Sequence, residues 1–290
     1  MIRSLLFIPG NSPVMLQNGA VLPADALILD LEDAVATDQK DAARTLVASA
    51  LHTVDYPKEI IVRINSFDSD YWQQDLEEII PLRPQAIMPT KCSDSSTIRS
   101  IAEKISELER QSNIGEGTVK LIPLIETARG VLNAYEIASA SPRIVALLLG
   151  GEDLTADLQC ERTKGGKEIF YSRSSIVIAA RAAGVEPIDT PFTDVDDDEG
   201  LIEDAKLALS LGFSGKAVIS PRHLAAINEI FSPQAEAVKY AREVISAIEG
   251  AKKAGKGVAS LHGKMIDAPI VSRAKRVLEQ ARRLGLPLED

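Results

Sequence analysis

Eight short apolar runs alternate with amphipathic helical patterns through most of the chain, and this alternation constrains the fold more than any other feature. Apolar runs of this kind that end at turn signals indicate strands buried on both faces. Strands that alternate with helices predict a parallel sheet, and eight such units close a TIM (β/α)8 barrel. The predicted strands are Ser4–Pro9, Ala26–Leu31, Ile60–Asn65, Ala86–Thr90, Lys120–Glu126, Ile144–Gly150, Pro187–Phe192 and Lys216–Ser220.

Helical patterns fill the intervals between these runs. Two of them stop at Gly184 and Gly212, because glycine readily adopts the left-handed geometry that ends a helix. The predicted helices are Gln39–Leu51, Thr97–Leu108, Gly130–Ala140, Phe170–Ala183 and Gly200–Leu211.

The chain continues beyond the eighth predicted unit. We expect residues 1–232 to form a catalytic barrel and residues 233–290 to form a C-terminal helical extension. The extension begins with a helix from about Pro233 to Ala254, continues through the glycine-broken segment Gly255–Gly263, and ends with a helix that reaches about Leu284. Such an extension would lie across a site, dock on a neighbouring subunit or close the bottom of the barrel.

Charge and cysteine content exclude several classes of function. The formal net charge of −10 argues against nucleic acid and anionic membranes as partners. Cys92 and Cys160 are too few for a disulfide framework and lack metal-site spacing. The apolar N-terminal run is too short for a signal peptide, and no apolar stretch is long enough to cross a bilayer. We therefore expect a cytoplasmic protein.

Two of the predicted strands lead directly into a carboxylate, Glu126 and Asp153. The C-terminal ends of parallel strands meet at the mouth of a barrel, where such enzymes keep their catalytic groups. These two residues are 27 positions apart, about the length of one helix-plus-strand unit, so adjacent strands would bring them together. A pair of carboxylates with room for water and substrate suits Mg²⁺. The alternative is that each carboxylate caps the helix that follows it.

Further polar residues follow the strands at the same predicted edge. Arg63 would either grip a substrate carboxylate with its two-pronged guanidinium or pair with a neighbouring acid, because a lone buried charge is costly. Lys91 is expected to give electrostatic support only. The full polar set is Pro9–Asn11, Asp30–Asp33, Arg63–Asn65, Thr90, Lys91, Glu126, Glu152, Asp153, Asp189, Thr190 and Ser220.

An acidic run, Asp194–Glu199, precedes one of the predicted helices. Negative charge is favourable at a helix N-terminus, and the first helical turn needs side-chain caps. We therefore interpret this run as a solvated cap rather than as a second metal site.

Short segments spread over nearly the whole chain form an ordered set. They are Arg3–Asn11, Leu29–Val35, Arg63–Asn65, Ile125–Thr127, Gly150–Leu154, Arg162–Lys164, Glu168–Arg173, Ile188–Phe192, Gly212–Lys216 and Gly263–Pro269. This set resembles the citrate lyase β-subunit (citryl-CoA lyase-like) family. Relatives in that superfamily cleave malyl-, methylmalyl- or citramalyl-CoA, but the segments around Arg162 and Glu168 are more similar to the citrate lyase subunit.

The resemblance implies a Mg²⁺-dependent TIM barrel and assigns roles by position. Glu126 and Asp153 match the metal ligands, and Arg63 matches the arginine that binds the oxo-acid carboxylate. Asp267 matches a tail aspartate that reaches the site of an adjacent subunit, where burial would raise its pKa and let it act as base or acid. The other implied substrate-binding positions are Asp30 and Asp33, which support the site beneath the metal, and Arg3, Lys40 and Arg44, where relatives contact the phosphates and adenine of the carrier.

One position departs from the family pattern. Ser220 stands where many relatives have histidine or asparagine, so any polar role of that side chain is reduced here to a hydroxyl.

The resemblance predicts a carbon–carbon lyase that cleaves citryl thioester, carried by acyl carrier protein or CoA, to oxaloacetate and acetyl thioester. Two alternatives stay open: a lyase for a related β-hydroxyacyl-CoA, such as malyl-CoA or citramalyl-CoA, and a non-catalytic scaffold subunit of an acyl-carrier complex. A scaffold would need none of Arg63, Glu126, Asp153 and Asp267. The implied partners are citrate lyase α and γ subunits and further copies of the chain, as a trimer or hexamer.

Overall fold

The computed structural model describes residues 2–253 and 259–287. The chain divides into two compact units, Ile2–Asn228 and Glu229–Asp290. The first unit contains nine parallel strand segments in one sheet. They are β1 (Ser4–Pro9), β2 (Ala26–Asp30), β3 (Glu59–Arg63), β4 (Ala86–Met88), β5 (Lys120–Leu121), β6 (Leu124–Ile125), β7 (Ala146–Leu149), β8 (Glu186–Asp189) and β9 (Gly215–Val218).

The segments β5 and β6 are two pieces of one strand, and this strand closes the sheet. The sheet order runs from β5 through β4 and β1 to β9 and back to β6. On the β4 side the Leu124 amide donates to the carbonyl of Pro89 at 2.9 Å, and on the β7 side the Leu148 amide donates to the carbonyl of Pro123 at 3.0 Å. The eight predicted strands therefore form a closed (β/α)8 barrel, and the predicted fold class is confirmed.

The barrel interior is filled by apolar side chains, and every strand of the barrel contributes to it. Interior positions alternate along each strand with positions that face the surrounding helices. The interior cluster is Leu5, Ala26, Ile28, Ile61, Ala86, Met88, Ile122, Leu124, Ala146, Leu148, Ile188 and Ala217.

The helices between the strands follow the predicted order with some differences. The predicted helix Gly130–Ala140 is divided into two short helices at Asn133. A helix that begins at His223 after the last strand is also predicted, and a helix is present from Leu224. Three other helices were not predicted, because seven or eight residues are too few to display a helical period. The helices are α1 (Pro13–Gly19), α2 (Lys40–Thr53), α3 (Trp72–Ile79), α4 (Ser95–Gln111), α5 (Ala128–Leu132), α6 (Ala134–Ala138), α7 (Gly151–Asp157), α8 (Phe170–Ala183), α9 (Asp198–Leu211) and α10 (Leu224–Ile230).

The predicted ends of α8 and α9 are confirmed. Gly184 and Gly212 follow these helices with φ of 76° and 105°, in the left-handed region that glycine tolerates. At its other end α9 is capped by Asp197, whose Oδ1 accepts the Gly200 amide at 2.9 Å. The capping interpretation of the acidic run is therefore confirmed for this residue.

The second unit consists of two long helices and a hairpin. Its elements are α11 (Ala235–Lys253), β10 (Ala259–Leu261), β11 (Lys264–Ile266) and α12 (Ala268–Arg283), with β10 and β11 antiparallel. Residues 254–258 of the predicted glycine-broken segment lie outside the described residues. Asp267 caps α12 and accepts the Ile270 amide at 3.2 Å. None of the helices in the described part of the chain is long and apolar enough to cross a membrane.

Candidate active site

A cavity of about 480 Å³ lies at the C-terminal ends of the barrel strands. Phe7, Leu124 and Leu148 are among its apolar lining residues, and five carboxylates line it as well: Asp30, Asp33, Glu126, Glu152 and Asp153. The structure brings five of the predicted site residues together here: Asp30, Asp33, Arg63, Glu126 and Asp153.

Arg63 pairs with Asp30. Of its two predicted roles, pairing with a neighbouring acid is therefore confirmed. The register of β2 and β3 places these residues side by side. Arg63 Nε donates to Asp30 Oδ1 at 2.6 Å and Nη2 donates to Oδ2 at 2.5 Å. Nη1 lies 3.3 Å from Glu32 Oε2, and the guanidinium carbon lies 4.9 Å from the ring centroid of Phe7. Asp30 therefore occupies the edge of the guanidinium formed by Nε and Nη2. The edge between the two Nη atoms faces Glu32 and Asp33, because Nη1 also lies 3.5 Å from Asp33 Oδ2.

Glu126 is 3% exposed, and its two oxygens have different surroundings. Oε1 accepts the backbone amide of Lys91 at 2.7 Å. Oε2 lies where a side chain at position 150 would be, since a Cβ built on Gly150 would stand 2.7 Å from it. Burial, together with the neighbouring charge of Asp153, raises the pKa of Glu126 to about 8, although the Lys91 hydrogen bond acts in the opposite direction.

Lys91 directs its amide toward Glu126 through an uncommon backbone conformation. Its φ is 52°, in the left-handed region that residues with a side chain rarely adopt. Conformations of this kind concentrate at functional sites, where the surrounding structure holds them. Its side-chain Nζ donates to Glu32 Oε1 at 2.7 Å. Sequence reasoning did not identify the backbone contact, because the residue type gives no sign of its φ.

Neither strand-end carboxylate caps the helix after it, so the capping alternative is wrong for both. The helix after Glu126 is capped by Thr127, whose Oγ1 accepts the Gly130 amide at 3.0 Å. The helix that carries Asp153 begins after Gly150 without a side-chain cap. Its Gly151 amide instead donates to Thr190 Oγ1 at 2.9 Å, across to the next strand.

The donor set of the cavity fits a hard divalent cation. Among the residues that the structure describes, no cluster of three or more carboxylate, imidazole or thiol groups is arranged to hold a metal. Mg²⁺ normally takes only one or two protein carboxylates and fills its other positions with water and substrate. The pair Glu126 and Asp153, at the wall of a cavity with space for both, matches that requirement.

The structure does not bring three of the predicted substrate-binding residues to the cavity wall. Arg3 precedes β1, at the opposite end of the strand from the mouth, and its Nε donates to Asp25 at 2.8 Å. Lys40 Nζ donates to the carbonyl of Leu31 at 2.9 Å, in the loop after β2. Arg44 is buried and its Nε donates to Asp75 at 2.8 Å. All three side chains are thus bonded to groups of the same subunit, and their contact with the carrier stays a prediction.

Asp189 also does not face the cavity. It is fully buried beneath the mouth and accepts Arg173 Nε at 3.0 Å and Lys216 Nζ at 2.5 Å. Asp204 lies 2.6 Å from both Arg173 Nη2 and Lys216 Nζ, so two buried cations face two buried carboxylates. Sequence reasoning placed Asp189 at the mouth from its strand end alone, because the cations come from distant segments.

Comparison with known proteins decides the family. The model of the HpcH/HpaI aldolase/citrate lyase family matches residues 3–221. The chain belongs to this family. The predicted resemblance is therefore confirmed, and membership makes a carbon–carbon lyase the expected enzyme class.

Relatives of this family member cover nearly its whole length. The citrate lyase subunit beta of Leuconostoc mesenteroides subsp. cremoris is 39% identical over 96% of this chain and 93% of its own. The L-malyl-CoA/beta-methylmalyl-CoA lyase of Cereibacter sphaeroides is 33% identical over 98% of this chain and 95% of its own. The structure of CitE from Mycobacterium tuberculosis with magnesium, acetoacetate and coenzyme A superposes with a TM-score of 0.78 at 31% identity, over 97% of this chain and 98% of that one.

Proposed function

We propose that the chain is a Mg²⁺-dependent lyase that cleaves citryl thioester into oxaloacetate and acetyl thioester. The observation that carries the proposal is the convergence of Arg63, Glu126 and Asp153 on one cavity at the barrel mouth. The names of the citrate lyase subunit beta relatives support the citryl substrate, and the magnesium and coenzyme A bound to the CitE structure support the cofactor and the thioester.

The reaction sets specific demands on the site. Citryl thioester carries a tertiary hydroxyl β to the thioester carbonyl, and loss of its proton lets the carbon–carbon bond break. The electron pair of that bond moves into the thioester enolate, which gains a proton on carbon to become acetyl thioester, and the hydroxyl carbon becomes the ketone of oxaloacetate. Mg²⁺, when bound by Glu126 and Asp153, supplies Lewis acidity that lowers the pKa of the hydroxyl.

Residues of the chain orient the substrate and move the proton. The edge of Arg63 between its two Nη atoms would exchange its contacts with Glu32 and Asp33 for the substrate carboxylate next to the hydroxyl, and so align the bond that breaks. Asp267, exposed at the start of α12, would enter the site of a neighbouring subunit and take up the hydroxyl proton. This role requires an oligomer of the chain, with a thioester presented by CoA or by an acyl carrier protein and with α and γ subunits as further partners.

The alternative substrates are malyl-CoA and citramalyl-CoA. The Cereibacter sphaeroides relative and the mitochondrial citramalyl-CoA lyase of Homo sapiens are both 33% identical to the chain, below the 39% of the citrate lyase subunit. A scaffold role is disfavoured, because a scaffold subunit does not need two carboxylates and an arginine at one cavity.

A panel of thioesters tests the proposal. Purified protein with Mg²⁺ would be offered citryl-, citramalyl- and malyl-thioesters, each on CoA and on an acyl carrier protein. We expect the highest kcat/KM with a citryl thioester and loss of turnover when Mg²⁺ is chelated. A higher kcat/KM with malyl- or citramalyl-thioester, or no cleavage of any of them, would refute the citryl assignment.

Arg63→Lys is expected to lower kcat/KM by about 100-fold, because an ammonium cannot bond Asp30 and a substrate carboxylate through two separate edges. Inhibition by oxaloacetate should weaken in parallel. The matched control is Arg181→Lys, at a half-exposed arginine paired with Glu186 at 2.7 Å. Unchanged oxaloacetate inhibition in Arg63→Lys would contradict the assignment of Arg63 to the substrate carboxylate.

Gly150→Ala is expected to weaken Mg²⁺ binding at least tenfold, because the added methyl group would displace the Glu126 carboxylate. Titration calorimetry with Mg²⁺ measures the effect. Gly250→Ala is the control, since a Cβ there meets nothing within 4 Å. Equal Mg²⁺ affinity in both variants would show that Glu126 does not need its observed position.

A further inference from the structure

The two proposed metal ligands are supported in different ways. The Glu126 carboxylate accepts the Lys91 amide at 2.7 Å and is held directly. Asp153 lies in the first turn of α7 and lines the cavity, and its carboxylate has no hydrogen bond or ion pair with any residue that the structure describes. The position of the Asp153 oxygens therefore depends on where α7 lies at the mouth of the barrel.

The N-terminus of α7 is fixed by a residue from the next strand. The helix begins after Gly150 without a side-chain cap of its own. Its first amide, that of Gly151, donates to Thr190 Oγ1 at 2.9 Å. At the other end of the helix, Asp157 Oδ2 accepts the Ala128 amide at 2.7 Å. Thr190 therefore holds the end of α7 that carries Asp153.

The contact between Gly151 and Thr190 is close as well as hydrogen-bonded. A Cβ built on Gly151 would stand 2.8 Å from Thr190 Oγ1 and 3.2 Å from Thr190 Cγ2, so a larger residue at position 151 would push the helix away. Thr190 is 2% exposed and Gly151 is buried. Buried amides are nearly always paired in native proteins, and Thr190 supplies the acceptor for this one.

Thr190 is itself held rigidly. Its carbonyl accepts Lys216 Nζ at 2.7 Å. It precedes Pro191, which restricts its backbone to extended conformations, and its branched Cβ limits rotation about χ1. The Oγ1 atom that receives the α7 amide therefore has little freedom to move.

A buried ionic quartet fixes the lysine that bonds Thr190. The quartet consists of Arg173, Asp189, Asp204 and Lys216, and Lys216 Nζ lies 2.5 Å from Asp189 Oδ2 and 2.6 Å from Asp204 Oδ2. Replacing buried ion pairs with apolar side chains is often neutral or stabilising, so their presence indicates a role other than stability. Here the quartet supports the residue that in turn supports α7.

We propose that Thr190 is a positioning residue for the metal ligand Asp153, acting through the first amide of α7, with the buried quartet as its support. The inference rests on the proposed lyase function, which requires Mg²⁺ at Glu126 and Asp153. Mg²⁺ demands near-ideal octahedral geometry with oxygens at about 2.0–2.1 Å, so a small displacement of α7 should weaken its binding.

The test measures Mg²⁺ affinity by calorimetry, without any turnover. Thr190→Val keeps the shape of the side chain but leaves the Gly151 amide without an acceptor, and we expect it to weaken Mg²⁺ binding about tenfold or more. Thr190→Ser keeps the hydroxyl oxygen and should stay within about threefold of the wild type. With citryl thioester, raising the Mg²⁺ concentration should restore most of the kcat of Thr190→Val, because the Asp153 carboxylate is still present.

The matched control is Thr155→Val, which removes a buried hydroxyl from the same helix. Thr155 Oγ1 donates to the carbonyls of Gly151 at 3.1 Å and Glu152 at 2.9 Å, both within α7. This variant should keep the wild-type Mg²⁺ affinity, and melting curves of the metal-free proteins record the stability that each variant loses. An equal loss of Mg²⁺ affinity in Thr155→Val would overturn the inference, because general weakening of α7 would then explain both results. Failure of Thr190→Ser to retain affinity would overturn it too.

Asp153→Asn separates this inference from the proposed function. If Asp153→Asn loses Mg²⁺ binding while Thr190→Val binds as tightly as the wild type, the positioning role is wrong and the metal site stands. If Asp153→Asn binds Mg²⁺ like the wild type, the proposed metal site fails and the positioning role fails with it. Weaker Mg²⁺ binding in Thr190→Val, with affinity retained in Thr190→Ser and Thr155→Val, supports the inference even if the preferred thioester proves to be malyl- or citramalyl-CoA.

Discussion

Glu126→Gln and Asp153→Asn are each expected to lower Mg²⁺-dependent kcat/KM by about 1,000-fold or more, because each removes one of two protein carboxylates that would hold the metal. The fold should survive, since a glutamine oxygen at position 126 can still accept the Lys91 amide that Glu126 accepts at 2.7 Å. Turnover would be measured across a range of Mg²⁺ concentrations, with metal affinity measured separately by calorimetry.

The matched control for this pair is Glu116→Gln, at an exposed carboxylate whose side chain is 60% accessible and whose nearest ion-pair partner is Arg110. It removes the same charge and should leave both the rate and the Mg²⁺ dependence unchanged. If Glu126→Gln and Asp153→Asn turned over at rates near that of the control with the same Mg²⁺ dependence, the metal ligands would have to be sought elsewhere.

Asp267→Ala should lower turnover by about 100- to 10,000-fold, the range expected when a general base or acid is removed. The substitution also removes the cap of α12, which would cost about 1 kcal/mol of stability. Asp267→Asn separates the two effects, because asparagine keeps the cap and loses the ionisable group. Both variants should be nearly inactive, and only the alanine variant should melt at a lower temperature.

A mixture of Asp267→Ala and Glu126→Gln subunits should regain activity if the tail of one subunit completes the barrel of another. A mixed interface can then combine one intact barrel with one intact tail. The helix α11 has 19 residues and is about 28 Å long at 1.5 Å per residue, which is enough to reach a neighbour. Subunit exchange, followed with differently labelled proteins, is the necessary control. Proven exchange without recovery would mean that Asp267 serves its own barrel or none.

The barrel could be predicted from the sequence because its strands are nearly continuous apolar runs, which few other folds accommodate. The predicted strand from Lys120 to Glu126 is the one that the structure divides in two, at Ile122 and Pro123. Proline has no N–H to give to a neighbouring strand, so regular pairing is interrupted there. Helices of seven or eight residues, such as α1 and α7, were missed because they show too little of a helical period.

Site residues were predictable where strand position and side-chain type agree. Glu126 and Arg63 satisfy both conditions and lie at the cavity. Asp189 satisfies them equally well, yet it is fully buried against Arg173 and Lys216. Partners from other segments decide which of two similar carboxylates reaches the cavity, and a single sequence does not contain that information.

The contact between the Lys91 amide and Glu126 is made by a peptide bond, so it depends on the backbone conformation at position 91 and not on the lysine side chain. Glycine or asparagine there would preserve the hydrogen bond at little steric cost, whereas valine or isoleucine would resist the φ of 52°. The lysine ammonium, which bonds Glu32, is a separate contribution that such replacements would remove. Residue 91 thus makes two independent contributions, one through its backbone amide and one through its ammonium. An alanine substitution reports only on the ammonium.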